Sequence, residues 1–306
     1  MNKRLRLSCF AVAIFLFPGQ ALAQFTDAHS YDNAPVGTNQ IELSYAHVYA
    51  NSSIDTSLII TGAKLDANQG TINYSRYLGL FNRTTWVEAG LPIGSLSGSV
   101  GGSGIQGTIV GAGDASFQVG MLLKGAPALT VERFHDSEPA STLGVSFSFT
   151  APTGRYDANK LLNLGSDRWV FKPEFAFSQP FGRGQKWQVE AYANAYFYTN
   201  NTTFHGNEIL HQQPQPGLEG HLSYSFSNNA WLSLDTRYSF LATTFVDGVD
   251  QNNGQQNFIV GSEMNVSISA RHSLLFEFAK ALVHENGPVI TGFAAKYTYT
   301  WGKGYR

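Results

Sequence analysis

The chain has 306 residues, a formal net charge of −2 and a single cysteine. Charged residues make up 14% of it and aromatic residues 13%, whereas an ordinary soluble domain carries about 25% charged residues. The mildly acidic balance lacks the basic surface that nucleic-acid-binding proteins need, so we expect no nucleic-acid partner.

The N-terminus has the order of a secretory signal. Three basic residues in MNKRLR precede an apolar run from Cys9 to Phe17, and Ala21-Leu22-Ala23 follows as a cleavage site. The run is too short for a membrane helix, which needs about 20 apolar residues. We therefore predict a cleaved signal peptide over residues 1–23 and a mature domain over residues 24–306. The mature domain then has no cysteine, which excludes disulfides and thiol chemistry.

After the signal, segments of about ten residues alternate between apolar and polar side chains, the pattern of strands in membrane β-barrels. In WQVEAYANAYF, Trp187, Val189 and Ala191 alternate with Gln188 and Glu190. The pattern predicts about twelve strands, near residues 41–50, 70–78, 84–94, 114–124, 141–151, 168–179, 187–198, 216–226, 231–240, 257–268, 273–282 and 290–301.

The connections between these segments alternate between short turns and longer loops rich in Gly, Asn and Thr. This alternation predicts an all-β fold: a transmembrane, antiparallel, up-and-down β-barrel with both chain ends in the periplasm. One connection, 125–140, is long where a short turn is expected. A soluble β-sandwich would also alternate, but five tryptophans near strand ends favour a barrel with interfacial aromatic girdles. They are Trp86, Trp169, Trp187, Trp231 and Trp301.

Several motifs carry a family resemblance. Three stretches resemble a family named after the meta pathway of phenol degradation. The first is YDNAPVGTNQIELSY, and the second is GLPIG followed by a glycine-rich loop and GAGDASF. The third and most specific is FTAPTGRYDANKLLNLGSDRWVFKPEF. The resemblance implies a barrel in the outer membrane of a Gram-negative bacterium with a role in transport. Such a protein would contact outer-membrane lipid and lipopolysaccharide, and would need periplasmic chaperones and the barrel-assembly machinery.

The predicted strand registers direct eleven charged or ionisable side chains into the lumen. They are Glu88, Lys172, Glu174, Glu190, Glu219, His221, Asp235, Arg237, Glu263, Glu277 and Lys296. One interpretation is a polar pore that favours cations, because rings of carboxylates bias which ions enter. The alternative is a network of charge pairs that fills a narrower barrel. The first choices for pore lining are Asp235, Arg237, Glu190, Glu219 and Lys296.

Other features carry weaker signals. His221 and Ser223 share a strand face, as in a serine hydrolase of the outer-membrane lipid-hydrolase type, yet no surrounding motif supports catalysis. No metal or cofactor is expected, and GAGD and GSGIQG are interpreted as flexible outer loops because no helix follows them.

The long loops 199–214 and 241–256 offer apolar residues for solute capture; the alternative is a solvated loop with a few rings folded inward. The apolar residues are Phe204, Ile209, Leu210, Phe245 and Val246.

The sequence therefore predicts a monomeric outer-membrane channel for passive uptake of small solutes, hydrophobic or aromatic compounds among them. Two alternatives remain open: an outer-membrane enzyme, and a structural barrel with a plugged lumen. An enzyme would need a serine, acid or histidine cluster whose replacement abolishes turnover, and a structural barrel would pass no solute.

Overall fold

The computed structural model describes residues 26–50, 63–100, 106–160, 162–285 and 289–303. Its strands, numbered in chain order, are β1 (Asn39–Ala50), β2 (Ala63–Leu80), β3 (Arg83–Val100), β4 (Gln106–Ala112), β5 (Ser116–Lys124), β6 (Thr142–Thr150), β7 (Val170–Phe181), β8 (Trp187–Tyr198), β9 (Asn201–Phe204), β10 (Glu208–Gln212), β11 (Gln215–Ser227), β12 (Ala230–Ala242), β13 (Thr244–Val246), β14 (Val249–Asp250), β15 (Gln255–Ser269), β16 (His272–Glu285) and β17 (Ile290–Trp301).

Twelve of these strands form a closed antiparallel ring in the order β1, β2, β3, β5, β6, β7, β8, β11, β12, β15, β16 and β17. The ring closes where β1 pairs with β17, from Asn39 opposite Trp301 to Ala50 opposite Ile290. A closed sheet leaves no edge unpaired, as the hydrocarbon of a membrane requires. The twelve predicted strands are confirmed, and the bounds of β8 and β17 are those given by the sequence pattern.

The two faces of the ring differ in chemistry. Phe175 and Leu234 point outward and are at least 60% exposed, whereas Glu174 and Asp235 beside them point inward and are almost fully buried. Because neighbouring strand residues point to opposite faces, one sequence supplies an apolar outside and a polar inside. The outer face therefore suits lipid. Within the described residues, no helix is long and apolar enough to cross a membrane.

The two ends of the ring also differ. The short turns, the start of β1 and the finish of β17 share one end of the ring, which we call the turn end; most of the long connections share the other, the loop end. The connection 125–140 lies at the turn end and holds a short helix, Val131–His135. It packs beside the β2–β3 turn, since Ala128 N donates to Asn82 O at 3.3 Å.

The loop end contains structure that the sequence pattern did not predict. The last two residues of GSGIQG begin β4, which pairs with the outer half of β3 from Ile93 to Ser99, so the interpretation as a flexible loop is wrong for residues 106–107; residues 102–105 lie outside the described residues. The loops 199–214 and 241–256 form a four-stranded sheet of β9, β10, β13 and β14. Phe204 and Leu210 are buried in the small core of that sheet, and neither is available for solute capture.

Two of the five tryptophans depart from the predicted girdles. Trp86 is 6% exposed and donates to Gln118 Oε1 at 2.9 Å inside the ring. Trp231 stacks on His29, with 4.4 Å between ring centroids. Both tryptophans are at inward-facing positions of their strands. The alternation of the strand therefore directs their side chains into the lumen, although they are near strand ends. Trp169 and Trp187 remain about 40% exposed, as a girdle requires.

Candidate functional site in the barrel lumen

The lumen at the turn end is occupied by the segment that precedes β1. We call Thr26–Asp32 the N-terminal segment. Thr26 N donates to Glu219 at 2.7 Å, Ala28 N donates to Glu263 at 3.1 Å, and His29 N donates to Glu190 at 2.9 Å. Carboxylates from three different strands thus accept backbone N–H groups of one short stretch. The segment is held inside the ring by charge-assisted hydrogen bonds.

Tyr31 is the main apolar anchor of the N-terminal segment. Its side chain is 1% exposed and packs between Trp86 and Tyr192, at 5.4 Å and 5.1 Å between centroids. Its phenol donates to Glu174 at 2.9 Å. A ring of this size buried with its hydroxyl bonded fixes both the position and the orientation of the segment.

His29 links the segment to the wall through a chain of hydrogen bonds. Its Nε2 lies 2.8 Å from Ser223 Oγ, and its Nδ1 lies 2.7 Å from Asp32 Oδ2. Burial lowers the pKa of this imidazole, but the carboxylates of Asp32, Glu190 and Asp235 outweigh burial and raise the net pKa above its usual range. The protonated form of His29 is therefore favoured in the docked segment.

All eleven predicted lumen residues face the interior, and most of their charges are paired. Lys172 contacts Glu174 at 2.7 Å, and Arg237 contacts Glu219 at 2.6 Å. His221 contacts Asp235 at 2.8 Å. Removing one partner of such a buried pair would leave an uncompensated charge. This network matches the second interpretation made from sequence, that charge pairs fill part of the lumen.

Lys296 joins the network to the N-terminal segment. Its ammonium group contacts Asp27 at 2.6 Å and also contacts Glu277 on the neighbouring strand β16. Asp27, Asp32 and His29 were not predicted as lumen residues. The sequence signal that could have revealed them is the polar stretch TDAHSYD, which stands between the signal and β1 without strand alternation.

A cavity of about 470 Å³ remains beside the N-terminal segment, lined mainly by β1, β2, β3, β5 and β17 and also by residues of β6, β7, β8, β11 and β16. Four of the eleven predicted residues line it: Glu88, Lys172, Glu277 and Lys296. Glu42 lines it too and was missed. The other seven predicted residues do not line the cavity. Among the first choices for pore lining, only Lys296 borders the cavity, because the N-terminal segment contacts Glu190 and Glu219 directly.

Part of the lumen at the loop end is apolar, along β1 to β4 and β15 to β17. Small and branched side chains from the inner faces of the strands meet two leucines of the β6–β7 connection there. The buried members are Val48, Ala50, Leu65, Ala67, Leu96, Ile109, Leu162, Leu164, Ile259, Ala279, Ala281 and Ile290. We call this set the apolar cluster. It lies on the side of β1 to β4 and β15 to β17, whereas the cavity reaches the loop ends of β7, β8 and β11 at Val170, Tyr198 and Gln215.

The β6–β7 connection, 151–169, is folded inward by Asp114. The carboxylate of Asp114 accepts hydrogen bonds from Gly154 N at 2.7 Å and from Ser166 N at 2.8 Å. Asp114 is the last residue of GAGD, so this motif forms a structured turn and its interpretation as a flexible loop is wrong. Gly154 and Gly165 approach closely enough that a Cβ on Gly165 would lie 2.6 Å from Gly154 O. The turn therefore seats Leu162 and Leu164 in the apolar cluster.

A closed ring with an apolar outside and a polar inside defines a membrane-spanning β-barrel of the outer-membrane type. The chain belongs to the family described as MetA-pathway of phenol degradation, whose model matches residues 49–297. No curated protein matches the chain in sequence.

Solved structures show the same fold. An outer membrane channel from Pseudomonas putida F1 aligns with a TM-score of 0.78 at 23% identity, over 90% of this chain and 100% of the channel. The β domain of the Bordetella autotransporter BrkA aligns with a TM-score of 0.52 at 11% identity, over 87% and 100% of the two chains. The transport unit of the autotransporter AIDA-I from Escherichia coli aligns with a TM-score of 0.52 at 7% identity, over 93% and 98%. The barrel thus resembles outer-membrane proteins.

Proposed function

We propose that this protein is a monomeric outer-membrane channel through which small solutes diffuse passively, hydrophobic or aromatic compounds among them. The observation that carries the proposal is a polar cavity of about 470 Å³ enclosed by a ring whose outer face is apolar. The family description, which concerns phenol degradation, supports aromatic solutes. Passive diffusion needs no catalytic group and no cofactor.

The predicted signal over residues 1–23 supports export to the outer membrane of a Gram-negative bacterium; that segment lies outside the described residues. In this setting the barrel contacts outer-membrane lipid and lipopolysaccharide. Its assembly uses periplasmic chaperones and the barrel-assembly machinery. We propose no nucleic-acid partner.

Two barriers lie along the proposed path. The N-terminal segment narrows the turn end, and the apolar cluster narrows the loop end from one side. A hydrophobic constriction passes apolar solutes more readily than ions, because ions must lose water to enter it. We propose that Glu88, Lys172, Glu277 and Lys296 line the path and that Glu174, Glu190, Glu219 and Glu263 hold the N-terminal segment. The three others, His221, Asp235 and Arg237, belong to the buried network of charge pairs.

The test is conductance of the refolded mature protein in planar bilayers. The first variant replaces residues 26–32 by a Gly-Ser sequence of the same length, which keeps the connection to β1 and removes the side-chain contacts of Asp27, His29 and Tyr31 with the wall. The control makes the same replacement over residues 136–140, which are exposed at the same end. The proposal expects larger conductance steps for the first variant alone. Folded barrels without conductance in either variant would contradict it.

A structural barrel with a plugged lumen is the second candidate, because the N-terminal segment is bonded to the wall inside the turn end. A structural barrel would show no solute flux even after the Gly-Ser replacement.

The site supports an enzyme less well than a channel. Ser223, His29 and Asp32 form a chain like that of a serine hydrolase, but Ser223 is 1% exposed and lies outside the cavity lining. Lipid hydrolysis that disappears in Ser223→Ala would favour the enzyme.

A further inference from the structure

Three inward-facing side chains on successive strands of the ring form a cluster in the turn-end half of the lumen. His221 lies on β11, Asp235 on β12 and Glu263 on β15. His221 is directly opposite Asp235, and Glu263 is opposite Ser233, two residues along β12 from Asp235. One potential ligand atom from each residue lies within 4.8 Å of the other two.

The imidazole of His221 has one nitrogen engaged and one available. Nδ1 lies 2.8 Å from Asp235 Oδ1. Nε2 is buried and has no hydrogen-bond partner among the described residues, although the side chain is fully enclosed. Buried polar atoms are nearly always bonded, so the surroundings of this imidazole are incomplete as they stand. The 2.8 Å between Nδ1 and Asp235 Oδ1 is close to the spacing of two ligand atoms on one ion, so the imidazole can share an ion with Asp235 through Nδ1.

The charge balance of the cluster also favours a bound cation. Lys172, Arg237 and Lys296 each pair with other carboxylates. Within the described part of the chain, neither Asp235 nor Glu263 forms a salt bridge with a lysine or an arginine. Within the described residues, the imidazole of His221 is the basic group paired with Asp235, and Glu263 is paired with no basic side chain. A divalent cation between the two carboxylates compensates negative charge that is costly to hold in a protein interior.

We propose that His221, Asp235 and Glu263 bind a divalent transition-metal ion of the zinc class inside the barrel wall. One imidazole with two carboxylates is a donor set that zinc accepts, whereas magnesium and calcium prefer oxygen ligands alone. Bonds of about 2 Å require ligand atoms roughly 3 Å apart, so small side-chain rotations complete the site.

The site also touches the N-terminal segment. Ala28 N, in that segment, donates a hydrogen bond to Glu263. On the wall itself, Ser233 Oγ of β12 donates to Asp235 at 3.0 Å. A bound ion therefore joins β11, β12 and β15 at the place where the segment is seated. We expect occupancy to stabilise the folded barrel against denaturant, because a ligand that binds only the folded state shifts the unfolding equilibrium.

The experiment measures zinc bound by the mature protein after it is refolded from urea in detergent with Zn²⁺ present, which lets the ion enter before the ring closes. Free zinc is removed by gel filtration and bound zinc is quantified. Anomalous scattering at the zinc edge then locates the ion in crystals. The variants are His221→Gln and Glu263→Gln. The controls are His211→Gln, an exposed histidine on β10, and Glu88→Gln, a lumen carboxylate outside the cluster.

The proposal expects about one zinc per chain in the wild type and both controls, and at least a tenfold weaker affinity in both cluster variants. Heat-dependent gel mobility confirms that each variant is folded. The proposal is overturned if the refolded wild type retains no zinc, if either cluster variant retains it with unchanged affinity, or if His211→Gln abolishes it.

Discussion

Tyr31 and Glu174, separated by 143 positions in the sequence, meet inside the barrel, where the phenol donates a hydrogen bond to the carboxylate at 2.9 Å. The contact joins a residue that precedes every strand to the middle of β7. It shows that Thr26–Asp32 lies in the lumen and is part of the barrel interior.

The first prediction concerns the anchor of the N-terminal segment. Tyr31→Phe removes one hydrogen bond to a charged acceptor, which costs about 1.5–3 kcal/mol. We expect the ratio of open to closed states to rise about tenfold or more. Single-channel recording measures that ratio. Tyr238→Phe is the control because Tyr238 lies on the outer face of β12, on the side of Leu234. Equal open probability in Tyr31→Phe and wild type would show that the hydrogen bond does not hold the segment.

The second prediction concerns pH. The raised pKa of His29 means that docking gains stability from protonation. That gain is fully present below the ordinary histidine pKa of about 6.5 and is lost as pH rises through the raised value. We therefore expect the open probability to increase with pH above neutrality. His29→Gln should remove this dependence, and a pH profile unchanged in the variant would assign it to other groups.

The third prediction concerns the apolar cluster. Leu96 is fully buried in it, on β3, whereas Leu91 on the same strand is 43% exposed on the outer face. Leu96→Ser should admit water and raise ion conductance by roughly severalfold, because hydrophobic constrictions close by dewetting. Leu91→Ser changes the lipid side alone. If both variants conduct like the wild type, the cluster is not the ionic barrier.

The fourth prediction concerns the inward fold of the β6–β7 connection. Asp114→Ala removes the acceptor for Gly154 N and for both donors of Ser166, at a cost of about 3 kcal/mol or more. We expect faster hydrogen exchange over residues 151–169 and a leak through the apolar cluster. Asp157→Ala is the control, since Asp157 is in the same connection with its side chain 40% exposed. Unaltered exchange in Asp114→Ala would exclude this role.

The fifth prediction concerns ion selectivity. Glu88 and Glu277 line the cavity, so Glu88→Gln and Glu277→Gln should lower the preference for cations. The reversal potential across a salt gradient measures this preference. Glu132→Gln, on the exposed part of the short helix, is the control. Unchanged reversal potentials in both lumen variants would place the conduction path elsewhere.

The ring itself was predictable because lipid outside and polar groups inside impose a period of two on each membrane strand. For this reason the eleven lumen residues could be placed on the inner face from sequence alone. Their division between cavity and buried network could not be predicted. That division depends on where Thr26–Asp32 lies, and a segment without alternation gives no sign that it enters the lumen.

The elements at the loop end were missed for a different reason. Outside the membrane, a strand needs no apolar face against lipid, so β4 and the sheet of β9, β10, β13 and β14 lack the pattern that identifies the ring. Asp114 illustrates the same difficulty. Its partners, Gly154 and Ser166, lie 40 and 52 positions away, and nothing local to GAGD indicates them.

The pairing of β1 with β17 has a consequence for how the chain folds. Every contact along that seam joins residues from opposite ends of the domain, with Asn39 and Trp301 separated by 262 positions. Contacts so distant in sequence form slowly because a long loop must close first. Until they form, β1 and β17 are open strand edges that pair readily with other chains. Closure of this seam therefore separates an aggregation-prone sheet from a finished barrel, and nascent chains that lack β17 should need chaperone protection.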